Sequence, residues 1–380
     1  MILDKALEFD QIKEIWKGLA LTEAAGSQID ETSFLLSESE LRKALKDTSD
    51  AKQLIELLGM PPLQNVTEVK EIVEIAGKGD CLTPYQLEKV GMALNAVRRL
   101  KDYLERGKMY ENPLAFYEEN LECADELREE IARQIRNERV DDYASKELAG
   151  LRMQIEKKTE EMKQRADQIM RANKDAMADS FTTYRNGRIC LPVKKDCKHR
   201  IPGSVIDKSS TGNTFFVEPV GVANIYEEIA LLRIGEENEV YRILYTLTAM
   251  VAEAGAYMDE NIRMMEKLDF IFSKGKLSLD LKANEPVITT ERTIRLKNAR
   301  HPLMDRTVCV PLQFEMGENT RGIVITGPNT GGKTVAMKTV MLNCLMAQCG
   351  LHVTSEEAEI CMNSNYLCDI GDGQNLSENL

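Results

Sequence analysis

Between Leu151 and Phe181 the chain carries neither glycine nor proline, and no other feature limits its fold as strongly. Leu148, Leu151, Ile155, Met162, Ile169 and Met177 form a thin apolar stripe through Glu, Lys, Arg and Gln, the pattern of a helix covered on one side only. A single helix of about 30 residues would be about 45 Å long. Its stripe needs a partner. A second long amphipathic run, from Ile225 through Ile243 and Val251 to Leu268, supplies one. The two runs predict an antiparallel pair of long helical arms over about residues 146–270.

Between the arms, residues 186–221 change character. Pro192, Pro202 and Pro219, β-branched runs, and turn signals at Pro202-Gly203 and Thr211-Gly212-Asn213 predict short strands and hairpins. This insertion is also basic: Arg185, Arg188, Lys194, Lys195, Lys198, Arg200 and Lys208 stand against Asp196 and Asp207. The formal net charge of −13 does not exclude nucleic acid, because binding depends on where positive charge gathers. Lys194, Lys195, Lys198, Arg200 and Lys208, carried at the tip of a long arm, are expected to contact nucleic-acid phosphates. A solvated hairpin is the plain alternative. Cys190, Cys197 and His199 lack a fourth ligand and the close cysteine spacing of a zinc site.

Residues 1–145 predict a compact helical domain. Ser37 with Glu40, and Thr83-Pro84 with Gln86, spell helix starts, and Leu87, Val90, Leu94, Val97 and Leu100 continue one apolar face after the second. Aromatic residues at 6% favour helices over sandwiches. The N-terminus is acidic where a secretory leader is basic, and no apolar run approaches the ~18 residues of a membrane span. A cytoplasmic protein without a membrane partner is expected. The nine cysteines, scattered singly, are expected to be reduced thiols.

Residues 271–380 predict an α/β end. Thr293–Leu296 alternates like a strand, and Gly322–Thr326 is a continuous apolar run of the kind found in buried parallel strands. Then comes TGPNTGGKT, with Gly327, four residues, Gly332, Lys333 and Thr334, followed by an apolar helix from Val335 to Cys349 closed by Gly350. Glycines in this spacing let backbone N–H groups wrap a phosphate. Gly327, Pro328, Asn329, Thr330, Gly331, Gly332, Lys333, Thr334 and Val335 are the expected ATP-binding residues. Lys333 would reach the β- and γ-phosphates, and the Thr334 hydroxyl would ligate Mg²⁺. Hydrolysis also needs a carboxylate closing a second strand. The acidic residues after Thr334, namely Glu356, Glu357, Glu359, Asp369, Asp372 and Glu378, follow no clear apolar strand. Little hydrolysis by this chain alone is expected, and catalytic residues stay unassigned.

TGPNTGGKTVAMKTV followed by LMAQCGLHV resembles the MutS family of ATPases. RNGRICLPVK at 185–194, PGSVIDKSSTGNTFFVEP at 202–219, NARHPL at 298–303 and CDIGDGQNLSENL at 368–380 are similar to its anti-recombination branch, MutS-two. The likeness runs from about Leu3 to the last residue. It implies a mainly α fold with an α/β end: a helical core, long antiparallel lever helices bearing a small β-rich clamp, and the first part of a P-loop ABC-type ATPase domain that works as a homodimer. It further implies binding of branched, duplex or mismatched DNA, suppression of homologous recombination, DNA repair and rescue of stalled ribosomes. Family members are DNA-dependent ATPases, often with a nuclease module.

By the same resemblance, Asp369 and Asp372 belong to the signature loop that approaches a partner's nucleotide. Arg300, His301 and Pro302 open the ATPase domain, and Val310-Pro311 helps frame the adenine. Gly373 departs from the Glu usual in the branch. The sequence stops before the remainder of the signature, the Walker B acid, the dimerising end and the nuclease module. The chain is therefore expected to be the front part of such a protein, or alternatively a truncated, non-hydrolytic nucleotide-binding interaction module. Phe116-Tyr117-Glu118 spells the F-x-E of the mismatch-reading branch, but it lies in a charged helical region rather than a mixed α/β domain and is read as coincidence.

Overall fold

The computed structural model describes residues 5–317, 320–328 and 332–368. The protein is mainly helical with small sheets. Backbone contacts divide the chain into two units: Met1–Val73 with Met92–Ala124 and Ala254–Leu380, and Glu74–Gly91 with Asp125–Glu253.

The second unit is built on two long helices, Lys146–Ala172 and Val220–Glu253. A two-stranded hairpin, β1 (Ile135–Arg136) with β2 (Arg139–Val140), precedes the first of them. Cross-links between the long helices fix their direction. Ser145 Oγ donates to Glu239 at 2.6 Å, Arg152 pairs with Glu236 at 2.8 Å, and Lys158 pairs with Glu228 at 2.8 Å. Partner numbers fall on one helix as they rise on the other, so the arms run antiparallel. Ser145 caps the first arm by accepting from the Leu148 N–H, one of the donors a helix start leaves open.

The first arm stops at Ala172, short of the Phe181 limit set by composition. Met177 instead bridges Val193, and the Ala178 N–H donates to the Pro192 carbonyl. The last apolar residues of the run are therefore recruited by a sheet. That sheet is β3 (Thr183–Arg185), β4 (Arg188–Lys194), β5 (Gly203–Lys208) and β6 (Thr214–Pro219), antiparallel in the order β3-β4-β6-β5. Ile189, Leu191, Val193 and Val217 pack with Met162, Ala166, Val222 and Ile229, which seats the sheet on the C-terminal turns of one arm and the N-terminal turns of the other.

The second apolar run is not one helix. It breaks at Ala254 and resumes as Gly255–Asp280, which belongs to the first unit. There it packs against the helices Phe9–Lys17, Glu23–Glu31 and Glu38–Leu58. Trp16 Nε1 donates to Ser273 Oγ at 2.7 Å, and the buried Asp269 carboxylate accepts from the backbone of Leu21 and Thr22. Close approach of these helices depends on Gly275, where a Cβ would lie 2.9 Å from the Ala51 methyl and the Lys52 nitrogen.

The first unit also holds a mixed sheet made of β7 (Val287–Thr289), β8 (Ile294–Ala299), β9 (Leu312–Met316) and β10 (Glu357–Cys361), in the order β7-β10-β8-β9. Only β10 with β7 is parallel. The helix Lys333–Gln348 shares one core with this sheet and with the N-terminal helices, through Leu342, Leu345, Leu296, Ile360, Trp16 and Leu41. The expected buried strand at Gly322–Thr326 is not formed. Residues 321–326 have no regular structure, and Val324 is 87% exposed with Ile323 and Ile325 beside it in solvent. An apolar run becomes a buried strand only where neighbours pair with both its edges, and no described strand does so here.

Candidate functional site

Gly332 caps the helix Lys333–Gln348 with φ 77° and makes no side-chain cap. A left-handed residue there suits glycine, which brings no side chain of its own to the helix start. Gly327 also has positive φ, and the Lys333 ammonium donates to its carbonyl at 2.8 Å. A helix start entered through glycine, with an ammonium beside it, is an arrangement that accepts an anion. Pro328, Thr334 and Val335 flank it, while Asn329, Thr330, Gly331, Asp369 and Asp372 lie outside the described residues.

The loop helix is anchored from behind by groups that spacing does not single out. Lys338 Nζ pairs with Glu8 Oε1 at 3.1 Å, both side chains almost wholly buried. A lysine in this largely apolar helix reads as solvent-facing in sequence. His301 lies beside this pair and is buried, which pulls its pKa down to about 4 against the opposing pull of Glu8. The Arg300 carbonyl accepts from Thr354 Oγ1 at 2.6 Å, and Thr354 Oγ1 also bonds Asn343 of the loop helix. Arg300-His301 is thus an internal brace. Val310 is exposed beside β9.

On the arm sheet the basic residues separate into two kinds. Arg188 is bound internally, pairing with buried Glu218 at 2.6 Å and lying over the Tyr226 ring. Arg185 lies over Phe216 and pairs weakly with Asp207. Lys194, Lys195, Lys198, Arg200 and Lys208 are all exposed. Lys194 pairs in register with Thr214, and Lys208 with Phe215, so both lie at the end of the sheet opposite Pro219, from which the second arm departs. The turn Lys195–Arg200 follows directly. Lys198 lies over the Phe215 ring, so Lys194, Lys195, Lys198 and Lys208 gather at that end, while Arg200 closes a turn that leads back to Gly203, paired with Pro219 at the other end. Phe116 is half-exposed in a 3-10 turn with the Lys108 ammonium over its ring, and Glu118 is paired to Lys108. Those local bonds account for the F-x-E residues.

Arms carrying a small sheet and a glycine loop opening a buried helix coincide with a family match: residues 323–380 fit the family described as MutS domain V. Over those residues the chain is similar to the MutS family, and across its length it is MutS2-like. It is 34% identical over 99% of its length to Endonuclease MutS2 of Clostridium botulinum strain Eklund 17B, covering 48% of that protein. Endonuclease MutS2 of Clostridium beijerinckii is likewise 34% identical, and that of Clostridium botulinum strain ATCC 19397 is 35% identical, each over 99% of the chain and 48% of the relative. The chain spans about half the length of the curated relatives it matches.

Proposed function

We propose that the chain is an ATP-binding, DNA-structure-binding MutS-like protein that acts in suppressing homologous recombination and in DNA repair. The observation that carries this reading is the loop helix entered through left-handed Gly332, with the Lys333 ammonium bonded to the Gly327 carbonyl. The loop Gly327–Val335 presents backbone N–H groups to the phosphates of ATP, Lys333 adds a fixed positive charge, and the Thr334 hydroxyl offers an oxygen to Mg²⁺. Bound ATP supplies the concentrated negative charge to which the loop responds. To meet it, Lys333 exchanges its bond to the Gly327 carbonyl for a phosphate oxygen. Homodimerisation and contact with stalled ribosomes, which the family likeness implies, belong to the same proposal.

Lys333→Ala is expected to weaken a fluorescent ATP analogue roughly ten- to a hundredfold, the loss of one strong charge-assisted hydrogen bond, with helix content unchanged by circular dichroism. Equal affinity in the variant would remove the loop from this reading. The cationic end of the arm sheet grips DNA phosphates. Replacing Lys195, Lys198 and Lys208 together by Ala should reduce the slope of log affinity against log salt by roughly 0.9 for each duplex phosphate no longer neutralised. Identical slopes would place the DNA interface elsewhere.

A second reading, a nucleotide-binding module that does not hydrolyse, draws on the exposed Ile323-Val324-Ile325 run, where a P-loop enzyme buries its loop strand. DNA affinity in the presence of ATP separates the two, since the first reading requires it and the second does not.

A further inference from the structure

The second arm, Val220–Glu253, carries two apolar stripes on opposite sides. One is used within the chain: Ile225, Ile229, Ile243 and Leu247 are buried, the first two sharing a core with Met162 and Ala166 of the first arm. The other consists of Leu231, Ile234, Tyr241 and Tyr245, each more than half exposed. With exposed Asn238 as the middle rung, these residues follow one another at steps of three, four, three and four. That alternation is the seam of a coiled coil, and here it runs for about 21 Å. The Tyr241 and Tyr245 rings lie stacked with centroids 6.3 Å apart.

We propose that this seam pairs with the same seam of a second copy of the chain, the two arms side by side, parallel and in register. Charge and polarity beside the seam select that occupant. Glu237 and Arg242 stand on its two flanks, at the spacing that brings residue 237 of one helix against residue 242 of a parallel partner. Glu237 makes no ion pair among the described residues, and Arg242, bonded to Glu239 at 2.6 Å, is still exposed. A symmetric pair of arms therefore forms the Glu237–Arg242 contact twice. In the same register Asn238 meets Asn238, and the two amides hydrogen-bond each other, which satisfies a polar group set within an apolar seam. An antiparallel pairing would put Asn238 against Ile234 and bring the two Glu237 side chains together. Any other partner would have to offer a matching amide and a matching charge at the same levels; a second copy offers both by symmetry. Five rungs make a small interface, so the pairing is reversible and depends on concentration. It involves the arm alone, needs neither nucleotide nor DNA, and is additional to the homodimer that the family likeness implies for the ATPase end.

Disulfide trapping reads the register directly. Asn238→Cys, oxidised with copper phenanthroline in the absence of nucleotide and DNA, should give a linked dimer on non-reducing gels. Arg233→Cys, exposed on the same helix but off the seam, and the wild type with its nine cysteines should not. Sedimentation equilibrium measures the strength. Tyr241→Asp should weaken self-association roughly tenfold, the loss of one aromatic anchor, and Glu237→Arg roughly fivefold, the loss of two exposed ion pairs. Adding Arg242→Glu to Glu237→Arg should restore most of that loss, because the contacts form again with reversed sign. Circular dichroism checks that each variant keeps its helices; should one fail to fold, the trapping comparison decides alone. Equal trapping of Asn238→Cys and Arg233→Cys, unchanged self-association in folded Tyr241→Asp, a charge-swapped double variant no stronger than Glu237→Arg, or a wild-type chain that stays monomeric would each overturn the proposal.

Discussion

Acidification from pH 7 to pH 4 should remove on the order of 3 kcal/mol of stability for each of two buried histidines, before any carboxylate contributes. His301 and His352 both have pKa values lowered to about 4, burial being the larger cause in each. His352 is held between Ser278 Oγ at 2.7 Å and Ser49 Oγ at 2.8 Å, partners that serve a neutral ring. Because the folded values lie below the ordinary 6.5, the unfolded chain binds more protons between pH 6.5 and 4. Stability is therefore complete above about pH 6.5 and declines as pH falls toward 4. Two such groups amount to a large part of a domain's usual ~5–15 kcal/mol. Urea midpoints measured at pH 7, 6, 5 and 4 should drop steeply below 6.5, and His352→Gln should flatten the drop by about half. A midpoint indifferent to pH between 7 and 5 would refute the assignment.

The second large effect is expected at the buried ion pair behind the loop helix. Lys338→Met leaves the Glu8 carboxylate in an interior where its side chain is only 2% exposed, and removing one partner of a buried pair costs about 3–5 kcal/mol. Glu8→Gln with Lys338→Met should recover much of that loss, because no uncompensated charge remains. Chemical denaturation of the single and double variants measures both. Equal midpoints for the single and double variants would show that the pair does not act as a unit. A lowered affinity for the ATP analogue in the single variant would further tie the anchor to the loop.

Much of this arrangement is legible in the sequence because local rules dominate where punctuation and periodicity are strong. Thr83 and Gln86 exchange hydrogen bonds, Thr83 N–H to Gln86 Oε1 at 2.9 Å and Gln86 N–H to Thr83 Oγ1 at 3.3 Å, as the capping pattern requires. Leu87, Val90, Leu94, Val97 and Leu100 are all buried. The arms, the strands of the insertion and the helix after the glycine loop follow in the same way. Partner choice is not legible. Met177 looks like one more rung of a helical stripe until Val193 pairs with it. Gly322–Thr326 looks like a buried strand, yet burial is supplied by neighbours and is not a property of the run itself. Arg188 counts as one charge among seven in composition, but Glu218 takes it out of the cationic end. Lys338 and Lys274 escape a sequence reading because a lysine within an apolar helix reads as solvent-facing, and only tertiary packing reveals that both are enclosed.

The uncovered Ile323-Val324-Ile325 segment also bears on how the molecule behaves in a test tube. Three adjacent β-branched residues with open backbone edges are a template for intermolecular strand pairing, and among them no charge interrupts the match; the nearest is Arg321. Light scattering at rising protein concentration is therefore expected to report self-association through this segment, and a lysine in place of Val324, which is 87% exposed, should lower it without touching any packed core.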